Sequence, residues 1–75
     1  MVTMYRGPAW KISVYGRDHG APHFHIEGPG YRCPVAIASL EVIIGSAPPA
    51  VLNLAKAWAL DHRMALQAKW RELNP

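Results

Sequence analysis

The chain has 75 residues, eight of them Lys or Arg against five Asp or Glu, for a formal charge of +3. That is enough for one domain, and a domain this small buries only about 60% of its unfolded surface, which leaves it marginal on its own. A single cysteine, Cys33, excludes an internal disulfide, and no apolar run approaches the roughly 18 residues that span a bilayer.

The first residues, Met1 to Pro8, lack the apolar core of a signal peptide, so a reducing, cytoplasmic setting is the expectation. A pI near 9.4 points toward a polyanionic partner without requiring one. Met1 to Pro8 reads as an irregular lead-in closed by Gly7-Pro8. From Trp10 to Tyr15 apolar and polar residues alternate, with Trp10, Ile12 and Val14 on one face, predicting a first strand over 10–15. Gly16 to Pro22 is a loop carrying Arg17, Asp18 and His19. A second strand, 23–27, puts Phe24 and Ile26 on its apolar side and His23, His25 and Glu27 on the other.

Gly28-Pro29-Gly30 is a turn signal, and a third strand is expected over 31–38, at an edge or bulged because Pro34 has no amide to donate. Glu41 to Ile44 reads as a fourth strand, 40–44, ended by Gly45 and Ser46. Pro48 and Pro49 suit the first turn of a helix, and nothing breaks that helix from 48 to 73. In steps of about 100°, Ala55, Trp58, Ala59, His62, Leu66 and Trp70 share one side. Such a helix is about 35 Å long against about 17 Å for a five-residue strand, so its last turns should overhang the sheet or meet a second copy. Leu60 and Met64, on its polar side, suggest a further contact surface. The predicted fold is α+β: a four-stranded antiparallel meander followed by one long helix packed on one face. The other face then shows Lys11, Ser13, Tyr15, His23, His25, Glu27 and Arg32 to solvent.

Three of the four histidines fall within seven residues, at His19, His23 and His25. Imidazoles about 7 Å apart along one strand face are unusual for a merely structural strand. Three readings are open. The rings are structural; or they exchange protons, since histidine titrates near neutrality; or they bind a metal. Acid–base cleavage of an RNA phosphodiester would draw its base and acid from His19, His23 and His25. Its cation would come from Arg17, Lys11 or Arg32, and no metal is needed. A metal such as zinc would be held by His19, His23 and His25, with Asp18 or Glu27 as a carboxylate. Asp18 would orient an imidazole. Tyr15 is the stacking candidate for a base, beside Lys11 and Arg32. Trp58 and Trp70 read as packing residues, and His62, on the apolar stripe, as a hydrogen-bonded core or interface residue. Cys33 reads as a small core residue.

The run Asp18, His19, Pro22, His23, Phe24, His25 resembles the Asp-His-x-x-Pro-His-Phe-His signature of the bacterial domain-of-unknown-function family 4160. The likeness continues through Gly30-Tyr31, Glu41-Val42, Gly45-Ser46 and a helix with Trp58 and His62-Arg63. Gly20-Ala21 stands where that family usually has Asn-Pro, and Ala38-Ser39-Leu40 where it has an Asp-Thr-Gly-like turn. The resemblance implies a co-encoded small protein in a toxin–antitoxin-like pair. The chain would then be either a ribonuclease or RNA-binding subunit, or a non-enzymatic metal- or partner-binding subunit on the antitoxin side.

Overall fold

A computed structural model describes all residues from Met1 to Pro75. Its elements in order are β1 (Val2–Arg6), β2 (Lys11–Val14), β3 (His23–Gly28), β4 (Tyr31–Ala36), α1 (Pro49–Asp61) and α2 (Arg63–Leu73). The strands form one sheet in the order β1-β2-β3-β4, every pair antiparallel. The class is α+β, as composition and periodicity lead one to expect, but the four strands are a different four.

The expected lead-in is itself β1. Its register with β2 shifts between Thr3 and Tyr5, so that Val2 faces Val14 while Tyr5 faces Ile12. That bulge sets two core-directed residues three apart, and the period of two by which a strand is recognised is lost. The expected fourth strand, 40–44, is reduced to a single bridge between Val42 and Val35. Two backbone bonds flank it, Ala36 N–H to Glu41 O at 3.0 Å and Ile43 N–H to Pro34 O at 2.9 Å. Leu40 takes the left-handed conformation, φ 59°, to make the turn, and Gly45 does the same at φ 76°. These reversals at both ends leave too little extended chain for a full ladder. β3 and β4 meet through Pro29-Gly30, where Gly30 supplies the φ of 78° that the turn requires.

The long helix is broken at His62. In an unbroken ladder the His62 amide would bond to Trp58 O; here the ring Nδ1 of His62 takes that carbonyl at 2.8 Å, and the amide is displaced to Ala59 O at 3.2 Å. The ring lies stacked on Trp58, centroids 4.0 Å apart and 10° from parallel. A side chain that competes for the ladder kinks it. His62 is thus an exposed, hydrogen-bonded hinge residue and not a core one. Arg63 Nε then donates to Ile37 O at 3.0 Å, pinning the start of α2 to the segment after β4. The molecule measures 32 Å along its longest axis, less than the roughly 36 Å of a straight 24-residue rod. The straight rod expected from the sequence is therefore not formed.

The core lies between helices and sheet, with Ile12, Val14, Phe24, Ile26, Cys33, Val35 and Ile37 from one side and Ala55, Ala59, Leu66 and Trp70 from the other. Alanine at two of the four helix positions lets α1 approach closely. Phe24→Ala, at the largest fully buried side chain, is expected to cost about 3–5 kcal/mol. Met64→Ala, 87% exposed, should stay within about 0.5 kcal/mol. Urea midpoints at unchanged m values will show both.

Candidate functional site

Alternation along β3 does put His23 and His25 on the same side of the sheet, with ring centroids 5.1 Å apart. They are not presented to solvent. His23 is 7% exposed and His25 8%, because α2 swings its last turns around the end of the sheet. Trp70 lies 4.9 Å from the His23 ring, and the edge-on ring of Tyr15 lies 4.9 Å from His25.

Asp18 reaches over both rings. Its Oδ2 stands 2.9 Å from His23 Nε2 and 3.5 Å from His25 Nε2. The other nitrogen of His23, Nδ1, is 2.9 Å from the carbonyl of Ala21. A carbonyl only accepts, so Nδ1 carries a proton and donates it. His23 Nε2 is left as the nitrogen that either gives a second proton to Asp18 or offers its lone pair to an electrophile. His25 Nδ1 is buried with no partner.

Asp18 is placed by Asn74, the capping residue of α2. Asn74 Oδ1 accepts from the Asp18 amide at 2.9 Å, while Nδ2 donates to Tyr15 O at 3.0 Å and Trp70 O at 3.1 Å. Arg17, in the left-handed region at φ 54°, turns the loop between these contacts. Asp18 Oδ1 accepts from the His19 amide at 3.0 Å, which leaves Oδ2 to the imidazoles.

Burial works against charge on Asp18, but the His19 amide and the two imidazoles outweigh it and hold the carboxyl below its ordinary value. Burial also lowers the pKa of His25, helped by the positive charge of Arg32, and the bond to Asp18 does not fully offset them. Next to this pair runs a second polar chain. Tyr15 Oη donates to Glu27 Oε2 at 2.7 Å, Arg32 Nε lies 3.3 Å from the same oxygen, and the Arg32 guanidinium stands 4.4 Å over the Tyr15 ring. Partial burial works against a charged Glu27 as well, yet Tyr15 and Arg32 bring its pKa below the usual carboxylate value. Glu27 in turn raises that of Tyr15.

A cavity of ≈ 310 Å³ reaches both histidines, with His19, Gly20 and Ala21 on one wall and Pro34, Ala36 and Ile43 on the other. Asp18, His23 and His25 are the one group of three His, Cys, Asp or Glu side chains whose ligand atoms lie within 4.8 Å of one another.

Residues 9–71 match the family described as Domain of unknown function (DUF4160). The chain belongs to that family. No curated protein matches it, and no solved structure does. The matched stretch runs from the turn before β2 to within the last helix; β1 and Asn74 lie outside it.

Of the residues singled out in the DUF4160 chain's sequence, the fold brings together Asp18, His23 and His25. It leaves His19 exposed on the cavity rim and Arg17 exposed on the loop. Of the expected donors, Asp18, His23 and His25 bring their ligand atoms within 4.8 Å of one another, and His19 lies outside that group. Tyr15 is no open stacking platform, since Arg32 covers one face of its ring and His25 takes an edge contact. Lys11 sits across from Glu27 in the β2–β3 register. Asn74 and Trp70 have places at the site that the sequence did not suggest. The only signal for Asn74 is an amide residue just past a helix and before a proline, a common cap position.

Removing the Asn74 amide strands one N–H and loosens two carbonyls. Asn74→Ala should cost about 1–3 kcal/mol and speed hydrogen exchange at the Asp18 amide more than at β3 amides. Glu27 has a lowered folded pKa, so its stabilisation is complete above its ordinary 4.5 and is lost as pH falls through the folded value. Between about pH 5 and 3, Glu27→Gln should flatten the loss of stability seen in the wild type by urea unfolding.

Proposed function

We propose that this chain is the RNA-acting subunit of a two-protein, toxin–antitoxin-like module, with Asp18, His23 and His25 as its reaction centre. The observation that carries the reading is the convergence of two imidazoles on one carboxylate oxygen beside a cavity open to solvent. Two imidazoles with different hydrogen-bonding surroundings divide naturally into a base and an acid. His25, whose Nε2 makes only a long contact of 3.5 Å to Asp18, is the base that takes the proton from a ribose 2′-hydroxyl at that nitrogen. The 2′-oxygen attacks phosphorus, the bond from phosphorus to the 5′-oxygen breaks, and a 2′,3′-cyclic phosphate forms. His23, whose two nitrogens both face acceptors, is the acid that gives its proton to the leaving 5′-oxygen. Asp18 orients both rings, and Arg17, exposed on the same loop as Asp18, is the cation assigned to the phosphate. The +3 charge favours the approach of a polyanion.

The competing reading is a non-enzymatic subunit whose histidines only tie the 15–22 loop to the sheet. Incubation of labelled RNA with chelator-treated protein separates the two. The enzyme reading predicts a cyclic-phosphate product and a rate lowered about 10²–10⁴-fold by His25→Ala, with circular dichroism reporting that the variant is folded. Absence of cleavage by the wild type, or equal cleavage by folded His25→Ala, would overturn it. Co-purification of the adjacent gene's product tests the pairing.

A further inference from the structure

We propose that Asp18 Oδ2, His23 Nε2 and His25 Nε2 form a three-donor site for a divalent transition metal, with zinc the ion that suits the set best. The assignment rests on donor geometry alone; only its inhibitory consequence, given below, rests on the acid–base reading above.

Around a tetrahedral zinc, bonds of about 2.0–2.1 Å put neighbouring donors about 3.3–3.4 Å apart. The Asp18–His25 separation is already 3.5 Å, the Asp18–His23 contact of 2.9 Å needs to open by only a few tenths, and the two Nε2 atoms, within 4.8 Å of each other, have to draw together as the ion enters. Both imidazoles offer the same nitrogen, Nε2, toward the same oxygen. Metal-bound histidines as a rule donate their other N–H to a carbonyl or carboxylate, which fixes the tautomer. His23 does so through Nδ1 to Ala21 O. The carboxylate is braced in the same way, by the His19 amide on Oδ1 and by Asn74 on its backbone. Two imidazoles and one carboxylate suit zinc or ferrous iron, whereas magnesium and calcium prefer oxygen donors throughout. The cavity beside the site is lined by both rings and not by Asp18, so a solvent molecule that completes the coordination would come from the histidine side.

On binding, zinc takes the lone pairs of both Nε2 atoms, and any proton on His23 Nε2 passes to solvent. Neither ring can then exchange protons at Nε2. Metal loading and acid–base cleavage exclude each other, so zinc acts as an off switch.

Chelator-treated full-length protein, titrated with zinc chloride in a calorimeter, should take up one ion per chain. With cobalt chloride it should develop the visible absorbance of a low-symmetry Co²⁺ site. Asp18→Asn, His23→Ala and His25→Ala should each weaken zinc binding by more than the roughly 10–100-fold typical of outer-shell partners, while His19→Ala leaves it unchanged. Should a ligand variant fail to fold, nitrogen NMR of the wild type decides: zinc must shift the Nε2 resonances of His23 and His25 and leave His23 Nδ1 protonated. Absence of saturable binding, binding that survives the Asp18→Asn/His25→Ala pair, or binding abolished by His19→Ala would overturn the site. If the wild type cleaves RNA and bound zinc does not stop it, the switch fails while the site stands.

Discussion

The site depends on one amide side chain. Asn74 uses its oxygen on the Asp18 amide and its nitrogen on the carbonyls of Tyr15 and Trp70, so a loop between β2 and β3 is held by the end of α2, 56 residues away along the chain. Closing a loop of that length costs only slightly more entropy than a short one. Without the tie, Asp18 would stand in solvent, where a carboxylate gains little from a nearby histidine. With it, the carboxylate is partly buried against two buried rings, where hydrogen bonds are stronger and geometry is held.

Burial brings rigidity and a cost. Two imidazoles, a carboxylate, a phenol and a second carboxylate lie packed side by side, and His25 Nδ1 and Glu27 Oε1 have no partner. A partly satisfied polar cluster is less stable than an apolar layer would be. Yet the opposite sheet face already supplies a continuous apolar core, and Arg32 closes the outer edge by pairing with Glu27. The fold can therefore carry an expensive polar face because its stability is concentrated on the other one.

The break at His62 makes this arrangement possible. A straight helix would run past the sheet and leave the histidine end uncovered. By surrendering one ladder bond to its own ring, His62 lets α2 start in a new direction, and Trp70 and Asn74 arrive at the end of β2 and β3. The aromatic stack on Trp58 and the Arg63 bond to Ile37 O hold the bend.

What the sequence determined by itself was whatever local periodicity and turn chemistry control. The Pro29-Gly30 reversal, the alternation of His23, Phe24, His25 and Ile26, the apolar residues of β2, the edge position of β4 and the helical stripe of Ala55, Ala59, Leu66 and Trp70 were all legible, because each follows from residue type or spacing within a few residues. β1 was not, since its bulge destroys the period of two. Nor was the kink, since a histidine ring competing for a backbone carbonyl leaves no mark in composition. Which of three neighbouring histidines meets which carboxylate was decided only in three dimensions. That choice depends on where Asn74 anchors the loop and on how far α2 wraps the sheet edge, and both are contacts between residues too distant in sequence for any local pattern to encode.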